Sequence, residues 1–123
     1  MISKKYFIVI AFLALIILCL ECMYQYSRTV YELSIALKHI EIICESENVA
    51  LKSEPKEAIK RLNYIVNYYP AGTRLRKGGR AEKIVEIVRN QAEKNIILHL
   101  KHITGKDYGD EAEIWIEKMG DNK

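Results

Sequence analysis

The chain begins with an uninterrupted apolar stretch. From Tyr6 to Leu20 it contains no charge and no helix breaker, and Cys22 to Tyr24 continue the apolar run after a single acid, Glu21. A helix needs about 20 apolar residues to cross roughly 30 Å of hydrocarbon, and a carboxylate near its end can reach the interface. We therefore predict one transmembrane helix over residues 5–24.

A cleaved signal peptide is the rival interpretation, because Lys4 and Lys5 give the stretch a basic start. The end of the stretch has no Ala-x-Ala pattern for cleavage, which favours an uncleaved signal-anchor. The same two lysines predict, by the positive-inside rule, that residues 1–4 are cytoplasmic. Residues 25–123 would then form an extracytoplasmic domain of a single-pass protein in the inner (plasma) membrane.

Beyond the span, apolar residues recur at alternating steps of three and four, which predicts that the helix continues to Leu51. This heptad seam consists of Tyr26, Val30, Leu33, Leu37, Ile40 and Cys44, and Ala36, Ile43 and Ala50 flank it. We favour the seam as the core side of a helical hairpin, because it is short and Glu47 interrupts it. The alternative is an oligomer seam. In a parallel pair Cys44 would face its counterpart, and a disulfide could form in an oxidising compartment.

The next periodic stretch predicts a second helix over residues 54–69. Ser53 would cap this helix and Pro55 would lie in its first turn, while Pro70 would end it. The link to the first helix is short, so the two helices should lie antiparallel.

Two more helices complete the predicted bundle. The third covers residues 81–104 and stops at Gly105. The fourth covers residues 111–119, and Asp110 and Glu113 form a possible capping box at its start. The predicted fold class is all-α, with a single N-terminal transmembrane helix continuing into a small bundle of about four helices.

The segment between the second and third helices is basic. It contains Arg74, Arg76, Lys77 and Arg80, with three glycines and no acid between residues 70 and 80. A solvated flexible loop is the interpretation we favour. The alternative is contact with anionic lipid headgroups or an acidic envelope polymer. A phosphate loop is excluded, because no glycine is followed by Lys-Ser or Lys-Thr.

Composition excludes several classes of function. A net charge of +3 over 123 residues is too small to favour nucleic acid as a partner. The chain has three cysteines, two of them in the span, and these do not make a disulfide framework. Cys19 and Cys22 have a Cys-x-x-Cys spacing, but they lie at the lipid end of the span, where thiol redox chemistry is not expected.

Few side chains are candidates for chemistry. His99 and His102 share one side of the third helix, with Asp107 and Asp110 after them, a set that could hold zinc. No established metal or nucleophile motif accompanies them. Trp115 is expected to close the core, because an indole buries a large area. We predict no catalytic residue, no metal and no cofactor, with a metal-dependent enzyme as a minor alternative.

Residues 62–116 also contain a set of motifs. They are Leu62-x-Tyr64-x-Val66-x-Tyr68-Tyr69-Pro70-x-Gly72-Thr73, Ile84-Val85-Glu86-x-Val88-Arg89, and Thr104-Gly105-x-Asp107-x-Gly109-Asp110 followed by Trp115-Ile116. As a set they resemble small uncharacterised bacterial proteins that join an N-terminal membrane helix to a helical domain. The resemblance implies an all-helical bacterial envelope protein and brings no catalytic residue with it. This chain departs from the pattern at Ala112, where proline would be expected.

Together these features favour a non-enzymatic interaction or scaffolding module at the outer face of the inner membrane. A thin helical core leaves little room for a pocket. The expected partners are the membrane itself and either a second copy of the chain or another protein bound through the helix faces. A module that binds anionic lipid through the basic segment is the alternative.

Overall fold

The computed structural model describes residues 3–68 and 75–120, and all regular structure in these two ranges is helical. The helices are α1 (Lys4–Leu51), α2 (Pro55–Asn67), α3 (Arg80–Thr104) and α4 (Ala112–Met119). This confirms the all-α fold, with a long apolar helix at the N-terminus that continues into a four-helix domain.

Helix α1 has two parts with different surroundings. Its sequence contains neither proline nor glycine, so nothing breaks it between the apolar stretch and the domain. Residues 3–31 are exposed throughout, whereas burial begins at Glu32. By length and composition α1 is long and apolar enough to cross a membrane, and its most apolar window has no buried residue. This arrangement is compatible with a single-pass membrane protein.

The second part of α1 packs against α2 and α3, and α4 packs mainly against α2. The largest fully buried side chains are Ile43, Leu62, Ile65, Ile96, Leu100 and Trp115. Four alanines are also fully buried, namely Ala36, Ala50, Ala58 and Ala92. Small side chains let helix axes approach closely, which allows a short chain to form a dense core.

The connection between α1 and α2 differs in one respect from the prediction. Pro55 does occupy the first turn of α2, but Glu54 is the N-cap residue and makes no capping hydrogen bond with its side chain. The prediction of Ser53 as the cap is wrong, because its hydroxyl donates instead to the carbonyl of Val49 at 2.5 Å. Ser53 thus completes the end of α1. Pro70, the predicted stop of α2, lies outside the described residues.

The end of α3 agrees with the prediction. Gly105 adopts a left-handed conformation with φ 65°, and its N–H donates to the carbonyl of Lys101 at 3.0 Å. Only glycine adopts this conformation without a steric penalty, so the helix stops here.

The start of α4 does not agree with the prediction. Glu111 is the N-cap residue and makes no side-chain cap. The capping box of Asp110 and Glu113 is wrong, because Asp110 accepts a hydrogen bond from Lys101 Nζ at 2.7 Å. The contact with Lys101 therefore replaces the local cap.

Trp115 in α4 is fully buried, as expected, and its Nε1 donates to the carbonyl of Gly109 at 2.8 Å.

Candidate interaction surface

The clearest candidate for a functional surface is an apolar stripe on α1 that the domain leaves uncovered. We call it the outer stripe, and it consists of Tyr26, Val30, Leu33, Leu37 and Cys44. Leu37 is 57% exposed, and Val30 and Leu33 are each 48% exposed. Tyr26 is 73% exposed, and the Cys44 thiol is free and exposed. A row of apolar side chains that the domain leaves uncovered is typical of an interaction site.

The domain packs instead against a neighbouring face of α1, which we call the inner face. It is formed by Ala36, Ile43 and Ala50, all of which are buried. The favoured interpretation of the heptad seam as the core side of the helix is therefore wrong for all of its residues except Ile40. Ile40 is partly buried against the core. Ala36 and Ala50 each lie seven residues from Ile43. This regular spacing, with two small residues, is the sequence signal for this face.

The flanks of the outer stripe are small and uncharged near the membrane. Ser27, Thr29 and Ser34 are exposed on either side of it, and the Thr29 hydroxyl donates to a carbonyl of its own helix. The nearest ion pair, Arg28 Nε to Glu32 Oε1 at 3.4 Å, lies on the far side of the helix by heptad position. Near the membrane, over residues 26–37, another helix could therefore approach the stripe without burying a charge.

The basic segment lies at the end of the domain nearest the span. The Nε atom of Arg76 is 3.7 Å from Glu32 Oε1, so the turn before α3 is held against α1. Lys77 and Arg80 are exposed beside it. Glu32 lies roughly 12 Å beyond residue 24 along the helix at about 1.5 Å per residue. Arg76, Lys77 and Arg80 thus lie near the end of the domain that faces the span, a few ångströms beyond a headgroup layer of about 5–8 Å, while Arg74 lies outside the described residues.

Arg89 is a buried charge that sequence reasoning did not identify. The residue is 5% exposed, and Nη1 donates to the carbonyls of Ile65 at 3.1 Å and Val66 at 3.4 Å. Its Nε lies 3.4 Å from Glu86 Oε1. Carbonyls in the last turn of a helix have no partner within the helix. Arg89 therefore closes the end of α2, which gives it a structural role.

Three groups near this charge have shifted pKa values. Burial, and then the positive charge of Arg89, lower the pKa of His39, whose Nδ1 lies 3.4 Å from the Tyr68 hydroxyl. Burial raises the pKa of Tyr68, and it also raises the pKa of Glu93 together with the nearby charge of Glu113. Burial is the first cause in each case. These shifts reflect packing and do not identify a matched acid and base.

The histidine set that was the minor candidate for zinc does not form a metal site in the part of the chain that the structure describes. His99 Nε2 lies 3.2 Å from the carbonyl oxygen of Ser53, which ties α3 to the α1–α2 connection. Asp107 and Asp110 both pair with Lys101, at 3.1 Å and 2.7 Å. Across residues 3–68 and 75–120, no three His, Cys, Asp or Glu side chains are grouped so that they could hold a metal ion.

A shallow groove of about 240 Å³ lies between α2 and α4. Its lining consists of Lys56, Ile59, Lys60, Asn63, Ile116, Met119 and Gly120. Ligand pockets usually have volumes of about 300–1,000 Å³ with several converging polar groups. This groove is smaller and presents two lysines and one amide, so it offers no set of groups for catalysis.

Comparison with known proteins adds no relative. No family model matches the chain, and neither the curated proteins nor the solved structures give a match.

Proposed function

We propose that this chain is a single-pass membrane protein of the bacterial envelope with a non-enzymatic interaction or scaffolding role. Residues 5–24 span the inner membrane, the basic N-terminus is cytoplasmic, and residues 25–123 form a helical domain outside. The basic start of the span supports this orientation, and the bare, apolar first part of α1 supports the span. The resemblance of residues 62–116 to bacterial membrane-anchored helical proteins belongs to the same proposal.

The observation that carries the interaction role is the exposure of the outer stripe. Leu33 and Leu37 are large, apolar and about half exposed, although the domain forms its core without them. Lipid does not reach them. Leu37 lies roughly 20 Å beyond residue 24, whereas the headgroup layer adds only about 5–8 Å to each side of the hydrocarbon. A protein surface is therefore the partner that fits.

Site-specific photocrosslinking in native membranes tests this role. A photoreactive amino acid replaces Leu33 or Leu37 in the full chain, and Lys38 provides the control because it is exposed but lies off the stripe. We expect discrete crosslinked products from the two stripe positions and much less from position 38. Equal labelling at all three positions, or none at any, would contradict an interaction role for the stripe.

A second candidate function is contact between the basic turn and anionic lipid. The specific observation is the 3.7 Å pair between Arg76 and Glu32, which holds Lys77 and Arg80 close to the end of the span. Each basic residue near an acidic membrane contributes about 1 kcal/mol of binding free energy. The effect is screened within about 10 Å at ordinary salt.

A fluorophore at position 77 tests the second candidate. The full chain carrying Lys77→Cys as its sole cysteine is labelled and reconstituted into vesicles with or without phosphatidylglycerol, and Lys52→Cys at the distal end of α1 is the control. Lipid contact predicts quenching by headgroup quenchers at position 77 only, in anionic vesicles only, and lost at high salt. Quenching that ignores lipid charge and salt would exclude this function.

A further inference from the structure

We infer that the occupant of the outer stripe is the same stripe on a second copy of this chain, in a parallel two-helix coiled coil just outside the membrane. This inference rests on the proposed interaction role and specifies the partner. It also predicts the geometry, since each stripe residue would meet its own counterpart.

The spacing of the stripe favours a helix of the same kind as its partner. Steps of four, three and four residues separate Tyr26, Val30, Leu33 and Leu37, and Cys44 follows one heptad after Leu37. A repeat of 3.5 residues keeps one seam facing a partner helix. In the heptad nearest the membrane, Val30 at the first core position and Leu33 at the second is the combination that favours two strands in parallel coils. In the next heptad Leu37 occupies the first position, while Ile40 at the second is partly buried against its own domain and does not face the partner helix.

The span supplies the orientation and the register. Two copies anchored through the same helix enter the membrane in the same direction, so their stripes lie at the same height. Val30 would then be level with Val30 of the second copy, as a two-fold interface requires. Confinement in one membrane also raises the effective concentration of one stripe around another.

The flanking residues allow this approach. The heptad places three residues on one side of the stripe, namely Ser27, Ser34 and Glu41. It places Thr29 and Ala36 on the other side. In a parallel pair the residues on one side face those on the other side of the partner helix. Ala36 is covered by its own domain, so Glu41 faces no acid of the partner helix, and no like charges are brought together.

The domain leaves room for the second helix. At the two stripe positions that lie level with the domain, the residue before belongs to the inner face: Ala36 precedes Leu37, and Ile43 precedes Cys44. Adjacent residues in a helix point roughly 100° apart. A two-fold axis along the helix pair would thus place the two domains on opposite sides of the pair, where neither covers the stripe.

Cysteine crosslinking of the full chain in native membranes tests the inference. With Cys19→Ser and Cys22→Ser in place, Cys44 is the only thiol and is treated with a bis-maleimide of short spacer. We expect a product of twice the chain mass that contains both of two co-expressed affinity tags. Leu37→Asp should lower its yield about tenfold or more, because the substitution removes two apolar side chains from one layer and sets two carboxylates together.

A cysteine scan in a chain without its three native cysteines tests the whole stripe without relying on Cys44. Single cysteines replace Val30, Leu33 or Leu37, with Lys38 and Glu45 as exposed control positions. Crosslinked dimer should be several-fold greater at the stripe positions than at the controls. Equal yields at stripe and control positions, or no dimer at any stripe position, would overturn the inference.

The two proposals fail in distinguishable ways. Photocrosslinking at Leu33 and Leu37 could give a product whose mass is not twice that of the chain and that never contains both affinity tags. That result would exclude a second copy as the partner and would still support the interaction role. Absence of any product at the stripe would overturn both. The single tryptophan, Trp115, is buried, so its fluorescence reports whether each variant retains the folded domain.

Discussion

The inner face and the outer stripe of α1 lie side by side and have opposite surroundings. Ala36 is fully buried and Leu37, the next residue, is 57% exposed; Ile43 is 1% exposed and Cys44 is exposed. The difference shows that hydrophobicity alone does not select the core face. Alanine at two turns of the inner face lets α2 and α3 approach α1 closely, whereas leucine on the stripe would hold them away. The bulkier apolar row is left for another surface.

The largest expected effect compares the two rows directly. Ile43→Ala should lower the free energy of unfolding by about 2–5 kcal/mol, because it opens a cavity in the core. Leu37→Ala should change it by no more than about 0.5 kcal/mol at dilutions where the copies are separate, since the side chain is exposed on the single chain. Urea unfolding of the full chain in micelles, followed by Trp115 fluorescence, measures both. Equal losses would place the stripe in the core.

The next effect concerns Arg89, the buried charge at the C-terminal end of α2. Arg89→Met should cost about 1.5–3 kcal/mol of unfolding free energy, because the carbonyls of Ile65 and Val66 lose a charged donor. Arg61→Met is the matched control. Arg61 pairs with Glu57 at 3.0 Å, but both side chains are about 40% exposed, so its loss should cost less than about 1 kcal/mol. The same urea unfolding assay measures both variants. A larger loss of unfolding free energy for Arg61→Met than for Arg89→Met would contradict the structural role of Arg89.

A smaller effect is expected at Glu47, which accepts a hydrogen bond from Asn95 Nδ2 at 2.6 Å. This bond joins α1 to α3 at the border of the inner face. Glu47→Ala should cost about 1 kcal/mol of unfolding free energy, whereas Glu45→Ala, at an exposed position, should cost almost nothing. If both substitutions leave the urea midpoint unchanged, the α1–α3 bond does not stabilise the domain.

The smallest effect is a dependence of stability on pH. The lowered pKa of His39 means that the folded domain prefers the neutral ring. Below the ordinary value of 6.5 the unfolded chain takes up the proton first, so stability falls as the pH drops from 6.5 towards the lowered pKa. The Tyr68 hydroxyl and the Arg89 charge face the ring. Between about pH 7.5 and 5.5, the urea midpoint of the His39→Gln variant should therefore fall by less than that of the unaltered chain. An identical loss in both would exclude His39 as the source.

Sequence patterns predicted the elements of the fold better than their contacts. Helical periodicity, the absence of breakers in α1 and the Gly105 stop depend on neighbouring residues, and these predictions are confirmed. The caps at Ser53 and Asp110 were wrong because each side chain also had a partner elsewhere, at Val49 and Lys101. Local spacing cannot choose between such partners.

The same limit explains the candidate surface. The heptad seam was found from its spacing, but which side of α1 would face the domain depends on the shapes of α2 and α3. Arg89 was missed for a related reason, since a single arginine in a helix gives no sign that the end of another helix will pack over it. Such residues are identified only when the helices are placed together.

The most direct test of a two-sided α1 uses one substitution and two readings on the same sample. Leu37→Asp in the full chain, reconstituted into vesicles, is measured for energy transfer between donor- and acceptor-labelled copies and for the urea midpoint of Trp115 fluorescence. We predict that energy transfer falls to the level of random proximity while the midpoint is unchanged. Unchanged energy transfer, or loss of the midpoint along with it, would contradict the separation of the outer stripe from the inner face.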